Sequence, residues 1–114
     1  MRKIEKRMLA ELARQASVKS ENRKAVSVTL SKRDRVYTNH SGNIRYVLWG
    51  NIVFTVHVDR YELGVYGGHY QTVTTKSRIN AISRAFGLPG ITQKNFVWTW
   101  SDGVAYDGIR VFER

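Results

Sequence analysis

The chain has 114 residues, with 19 Lys plus Arg against 9 Asp plus Glu, one proline and no cysteine. Its length predicts a single small domain, and a hydrophobic fraction of 42% excludes a disordered basic tail. The lack of cysteine excludes disulfides, thiolate zinc sites and cysteine nucleophiles. Neither a membrane-spanning run nor a secretory signal is visible, so we expect a soluble cytoplasmic protein that makes no membrane contact.

Positive charge is concentrated near the N-terminus. Residues 1–36 hold 11 basic and 4 acidic residues, whereas residues 37–114 hold 8 and 5. A formal net charge of +10 on so small a chain attracts polyanions and speeds encounter with them. The charge therefore predicts nucleic acid as the partner, with an acidic protein surface as the alternative.

The first predicted element is an amphipathic helix from Arg2 to Ala16. One side of this helix is basic, and the other carries an apolar arc that could pack on its own sheet, on a second copy of the chain or on a partner. Residues 17–24 lack an apolar period and predict a linker. The chain is thus expected to divide into a basic helix and linker at 1–24 and a single α+β domain at 25–114. The apolar arc holds Ile4, Met8, Leu9, Leu12 and Ala16.

A two-residue period follows from residue 25. Val26, Val28 and Leu30 alternate with hydroxyl side chains, which predicts a half-buried strand that ends in a charged turn at 32–35. Similar runs between turn-forming residues predict an antiparallel meander and two later strands, at 44–49, 51–58, 62–66, 96–100 and 109–112. In the longest strand one face is expected to hold Ile52, Phe54, Val56 and Val58.

A second helix is predicted from Lys76 to Phe86, capped by Thr74 and Thr75 and ended by Gly87. Its inner face is expected to hold Ile79, Ile82, Ala85 and Phe86, and its outward stripe Lys76, Asn80 and Arg84. The sum is an α+β fold in which a small antiparallel sheet packs on one central helix and a basic amphipathic helix precedes them.

Several motifs lie between residues 44 and 100. They are Trp49-Gly50-Asn51, Leu63, Tyr70-x-Thr72-x-Thr74-Thr75-Lys76-x-Arg78-Ile79-Asn80, and Gln93-Lys94-x-Phe96-x-Trp98. Together they resemble a family of small bacteriophage-encoded domains, which has Gly and Trp where this chain has His69 and Tyr70. The basic N-terminal segment lies outside the resemblance. The resemblance implies a phage origin and a fold rather than a chemistry, and small basic phage proteins commonly serve DNA metabolism or bind and alter a host enzyme.

Three groups of residues are candidates for ligand contact. At the predicted helix start Thr74, Thr75 and Lys76 offer hydroxyl, amide and ammonium groups for a phosphate, with Arg78 and Arg84 nearby, although simple capping is the alternative. Tyr66 and Tyr70 could stack on unpaired bases, whereas Phe96 and Trp98 are expected in the core. Phosphate contacts, or else a solvated basic surface, are predicted for Lys3, Arg7, Arg14, Lys19, Arg23, Lys24, Lys32, Arg33 and Arg35.

Catalysis has little support in the sequence. His40, His57 and His69 show no metal-ligand spacing, no catalytic motif occurs, and no cofactor or metal is expected. We therefore predict a small phage-encoded protein that binds nucleic acid without enzymatic activity, largely through phosphates and independently of sequence, in the host cytoplasm. The alternative is a phage protein that binds and inhibits or redirects a host protein through an acidic surface. A third reading is a metal-independent ribonuclease with His57 and His69 as acid and base.

Overall fold

The computed structural model describes residues 2–19, 22–39, 41–58, 62–68 and 71–113. These residues form the predicted α+β fold, but its main sheet has six strands and is larger than expected. The helices within them are α1, Lys3–Ala16, and α2, Val73–Ala85. The strands are β1, Val26–Thr29; β2, Asp34–Thr38; β3, Asn43–Leu48; β4, Asn51–His57; β5, Glu62–Val65; β6, Ile91–Lys94; β7, Val97–Trp100; and β8, Arg110–Phe112.

The main sheet has the strand order β1-β2-β3-β4-β5-β8, and every neighbouring pair is antiparallel. The predicted meander is confirmed from β3 to β5. After β5 the chain forms α2 and a separate hairpin of β6 and β7 before β8 joins the sheet edge. Strands β2 and β6 were not predicted, because β2 begins inside the run of charges that indicates a turn.

A bulge in β4 breaks the predicted alternation of that strand. Tyr46 pairs with Phe54 and Val47 pairs with Ile52, so Val53 is left without a partner on β3. Val53 and Phe54 are both buried, whereas Ile52 is exposed. The prediction that Ile52 shares a face with Phe54 is wrong, because an inserted residue turns the side chains before it to the other face.

Both helices pack on one face of the main sheet. Met8 and Leu12 of α1 and Ile79 and Ile82 of α2 are buried in the same core. The centre of the apolar arc of α1 therefore packs on its own sheet, whereas Ala16 at the end of the arc is exposed. The opposite side, which we call the outer face, carries the exposed and half-buried residues of the alternating strands, namely Arg35, Tyr37, Arg45, Val47, Ile52 and Thr55.

Helix α2 begins three residues earlier than predicted. The hydroxyl of Thr72 accepts a hydrogen bond from the backbone N–H of Thr75 at 3.1 Å, so Thr72 is the N-cap. Thr75 is buried, and its hydroxyl oxygen accepts a hydrogen bond from the Thr72 hydroxyl. The prediction that Thr74 and Thr75 cap the helix is wrong. The end of the helix is as predicted, since Gly87 follows it with a φ of 67°.

A buried arginine joins both helices to the sheet. Arg78 is 0% exposed; its Nε donates to Asp34 Oδ1 at 2.9 Å and its Nη1 donates to Glu5 Oε2 at 2.8 Å. The Tyr46 hydroxyl also donates to Asp34. Arg78 is therefore not available to a phosphate on the surface, which corrects its place among the predicted contact residues.

Burial and hydrogen bonding act in opposite directions on Asp34. Burial favours the protonated carboxyl, but hydrogen bonds from Arg78, Ser31 and Tyr46 outweigh it and lower the pKa of Asp34. For Arg78, burial opposes the charged form, and hydrogen bonds from it to Asp34 and Glu5 outweigh burial and raise its pKa. Asp34 and Arg78 therefore form a charged pair at neutral pH, and Arg78 links α1, β2 and α2.

Asn80 and Lys76 attach the β6–β7 hairpin to α2. The Asn80 side chain accepts from the backbone N–H of Ile91 at 2.6 Å and donates to the carbonyl of Ile91 at 3.1 Å. Lys76 Nζ donates to Gln93 Oε1 at 2.9 Å. The expectation that Asn80 points outward is wrong. Much of the motif that carries the phage resemblance is thus engaged in holding α2 and its hairpin in place.

Candidate nucleic-acid interface

The basic side chains of α1 differ in how far they are available to a ligand. Lys3 is exposed. Arg7 Nη1 donates to the carbonyl of Leu30 at 3.0 Å, which ties the helix to the β1–β2 turn. Arg14 forms a two-point ion pair with Glu11, and the hydrogen bond from Arg14 lowers the pKa of that carboxyl. The pair largely neutralises Arg14, so α1 offers fewer phosphate contacts than its sequence predicts.

The remaining residues of the N-terminal segment are spread over the linker. Lys19 and Lys24 are exposed, whereas Arg23 is half-buried and lies against Gly42, where a Cβ would come within 2.8 Å of its Nη1. Tyr70, His40 and His69 lie outside the described residues.

The turn between β1 and β2 holds three basic side chains in a defined geometry. Ser31 Oγ accepts from the backbone N–H groups of Arg33 and Asp34, both at 3.1 Å. These bonds fix the turn, and Lys32, Arg33 and Arg35 are exposed around it. The sequence predicted these three residues as contacts, and the structure brings them together.

An exposed tryptophan stands beside this turn. The backbone N–H of Trp49 donates to the carbonyl of Arg33 at 2.8 Å, and Trp49 is 69% exposed. Trp49 and Gly50 form the two-residue turn between β3 and β4 with φ of 53° and 80°, as a type I′ turn requires. Asn is favoured at the first position, and a left-handed conformation costs about 1–2 kcal/mol for other residues. A strained, exposed aromatic residue is a candidate functional residue.

Shallow cavities lie on two sides of Trp49. One of about 310 Å³ is lined by Lys32, Arg33 and Arg35, by Val47 of the outer face, and by Asp34, whose Oδ2 lies 3.5 Å from Arg33 Nε. The other, also about 310 Å³, lies against the first turn of α2, at Thr72 and Thr74. The indole therefore separates a cationic cavity from one that offers hydroxyl groups. We call this region the Trp49 surface, and it consists of Lys32, Arg33, Arg35, Trp49, Thr72 and Thr74.

A second basic region lies between α1 and α2. A groove of about 520 Å³ is lined by Arg2, Lys76 and Arg84, with Ser77 and Glu5 in its floor. Ser77 donates its hydroxyl hydrogen to Glu5 Oε2. The structure thus brings Lys76 and Arg84 together, as the outward stripe predicted, but separates them from Thr74 and the Trp49 surface.

Sequence reasoning did not single out Trp49 as a candidate contact residue and treated it only as part of a family motif. A signal was present, because Trp-Gly occupies a two-residue hairpin turn in which Asn-Gly is favoured. Sequence reasoning also placed Phe96 in the core, which is wrong. Phe96 is 91% exposed with a φ of 65° in the β6–β7 turn, whereas Trp98 is buried as predicted.

Within the described ranges, no group of three or more His, Asp or Glu residues could hold a metal ion. His57 is half-buried on β4, and its buried Nδ1 has no hydrogen-bond partner among the residues that the structure describes. Neither described helix is long and apolar enough to cross a membrane.

Comparison with known proteins gives one family and no individual relative. No curated protein and no solved structure matches the chain. A family model described as Kyanoviridae Gp96 protein matches residues 1–112. The match includes α1, so it extends beyond the middle region in which the phage resemblance was seen. The chain therefore belongs to the Kyanoviridae Gp96 protein family, a family of bacteriophage proteins.

Proposed function

We propose that this phage protein binds nucleic acid without enzymatic activity and that the Trp49 surface is its principal site. The observation that carries the proposal is Trp49 itself, an exposed indole held in a strained turn beside the exposed Lys32 and Arg33. Cations beside an aromatic face suit a ligand that offers phosphates and bases together. Binding of this kind takes place in the host bacterial cytoplasm, where such ligands occur.

Contacts to phosphates supply affinity without reading sequence, so unrelated oligonucleotides are expected to bind with similar strength. Affinity should fall as salt rises, because bound cations displace counterions from the polynucleotide. Three contacts from Lys32, Arg33 and Arg35 give a slope of log K against log salt of about −2 to −3. Exposed cations elsewhere, such as Lys3 and Lys24, would make the slope steeper.

The test compares two double charge reversals that change the net charge equally. Lys32→Glu with Arg35→Glu alters the Trp49 surface, and Lys19→Glu with Lys94→Glu alters exposed lysines elsewhere. Fluorescence anisotropy with several unrelated oligonucleotides, at two salt concentrations, should show at least tenfold weaker binding for the first pair than for the second. Absence of binding by the parent protein in dilute buffer contradicts the proposal.

The protein-docking alternative is favoured by the tip of the β6–β7 hairpin. Asn95 and Phe96 both have positive φ there, and Val97 is exposed next to them. An aromatic side chain that protrudes from a rigid turn resembles the anchors that fill pockets at protein interfaces. In this reading the positive charge guides the protein to an acidic host surface, and binding inhibits or redirects the host protein.

A pull-down from infected cells, with and without nuclease treatment, separates the two functions. A protein partner that survives nuclease and is lost in Phe96→Gly supports docking. Loss of every captured protein after nuclease supports the nucleic-acid function instead.

A further inference from the structure

We infer that the ligand is an unpaired polynucleotide strand, with one base stacked on Trp49 and the strand continuing across the outer face of the main sheet. This inference rests on the proposed function and specifies its ligand. It follows from what the outer face presents next to the Trp49 surface, since both helices pack on the other side of the sheet.

The first part of the path lies on β2 and β3. Arg35 is paired in register with Val47, and Tyr37 is paired with Arg45. These four side chains form a square on the outer face. Arg35 and Arg45 lie on one diagonal, and Tyr37 and Val47 lie on the other. Val47 and Arg35 also line the cationic cavity beside Trp49, so this square is continuous with the Trp49 surface.

The second part lies on β4 and β5, where a tyrosine ring covers a glycine. A Cβ on Gly64 would lie 2.5 Å from the hydroxyl oxygen of Tyr66, so the Tyr66 ring lies against the outer side of β5. Tyr66 is 38% exposed. Gly64 pairs with Thr55, which pairs in turn with Arg45. One cross-strand row therefore runs from Tyr37 through Arg45 and Thr55 to Tyr66, over about 14 Å at the usual strand spacing.

This row has an aromatic ring at each end and a cation and a hydroxyl group between them, which suits an unpaired strand. Bases in a duplex are stacked on one another and hide their faces, so a duplex could offer this surface only phosphates. A single strand can place bases on the rings while its phosphates follow Arg35 and Arg45. Other sheet surfaces that bind single strands stack about two or three bases on their aromatic residues. The polynucleotide path ends before Glu62, which lies on the next row opposite His57, because a carboxylate repels phosphates.

The experiment compares affinity for single-stranded DNA, single-stranded RNA and duplex DNA of one length and mixed sequence. At least one of the two single strands should bind at least tenfold more tightly than the duplex. Binding should also quench tryptophan fluorescence, because Trp49 is exposed whereas Trp98 and Trp100 are buried. In Trp49→Phe the quenching should be lost while most of the affinity remains, since a phenyl ring still stacks.

Two matched variants separate a specific contact from a general effect of exposed aromatics. Trp49→Asn and Phe96→Gly each turn a strained hairpin turn into the favoured Asn-Gly pair and each remove one exposed ring. Trp49→Asn should weaken single-strand binding by about tenfold, in the range for one lost base stack, and Phe96→Gly should leave it unchanged. Tyr66→Leu should weaken it as well, with circular dichroism confirming the fold.

The outcomes distinguish this inference from the proposed function. Equal binding of duplex and single strand, with no loss in Trp49→Asn, overturns the single-strand inference and leaves phosphate-directed binding intact. Loss of affinity in Phe96→Gly but not in Trp49→Asn also overturns it, in favour of the β6–β7 hairpin. Absence of binding to all three ligands overturns both proposals.

Discussion

The backbone N–H of Trp49 donates to the carbonyl oxygen of Arg33 at 2.8 Å, which joins the tips of two hairpins. The basic turn after β1 and the indole between β3 and β4 are therefore fixed relative to each other. The aromatic and the cationic groups of the Trp49 surface thus form one preorganised unit, and binding need not first bring them together.

Relief of backbone strain at Trp49 should stabilise the fold. Trp49→Asn is expected to raise the free energy of unfolding by about 1 kcal/mol, because Asn tolerates the left-handed conformation and the exposed indole contributes little packing. Urea unfolding measured by circular dichroism gives this difference. A fall in stability of similar size would show that the indole makes packing contacts that matter.

Removal of the buried Arg78 guanidinium should strongly destabilise the fold. In Arg78→Met, Asp34 and Glu5 lose the hydrogen bonds that the guanidinium donates while they remain buried, and we expect a loss of about 3–5 kcal/mol in the free energy of unfolding. Arg84→Met on the exposed side of the same helix is the control and should change stability by no more than about 0.5 kcal/mol. Equal effects of the two substitutions would contradict the role of the buried network.

Stability should fall in acid. The folded-state pKa of Asp34 is lower than its unfolded value of about 3.9, so its contribution is complete above that pH and is lost as pH falls through the folded pKa. Asp34→Asn should be less stable at pH 7 and should lose less stability than the parent below pH of about 4. Some acid sensitivity should persist, because the hydrogen bond from Arg110 lowers the pKa of Asp102 to about 2. Unfolding by urea across this pH range measures the difference.

Charge reversal in the α1–α2 groove should affect nucleic-acid binding only through long-range electrostatic attraction. Lys76→Glu with Arg84→Glu is expected to weaken nucleic-acid binding less than reversal of Lys32 and Arg35, because Thr74 and Trp49 are not in that groove. The difference should shrink as salt rises, since screening suppresses long-range attraction. A larger effect from the groove would move the principal site there.

The parts of the fold that local periodicity predicted are α1, the meander and α2. Strand β2 was not predicted because two of its three buried positions hold Asp34 and Thr38, whose polar groups find partners far away in sequence. Asp34 is bonded by Arg78, and Thr38 donates to Gln15. A local window contains neither partner, so the strand resembles a polar turn.

Only the basic residues of the candidate site could be predicted from the sequence. Lys32, Arg33 and Arg35 are evident from the sequence as a basic run. Their association with Trp49 depends on the pairing of β2 with β3, which brings residues 33 and 49 together. Exposure of Trp49 likewise depends on the turn geometry rather than on hydropathy. Sequence composition thus indicated a ligand class, whereas tertiary structure determined where an aromatic group could meet it.

The Asn80 amide bonds both the N–H and the carbonyl of Ile91, and in doing so it makes the two bonds that a residue of an adjacent strand would make. Helix α2 therefore takes the place of a neighbouring strand for one residue of the β6–β7 hairpin. Because this hairpin pairs with no described strand of the main sheet, its side-chain hydrogen bonds with Asn80 and Lys76 of α2 hold it in place. Displacement of the hairpin would expose the buried Trp98 and Trp100 as well as break the Asn80 hydrogen bonds, so its position depends on core packing and on this one amide together.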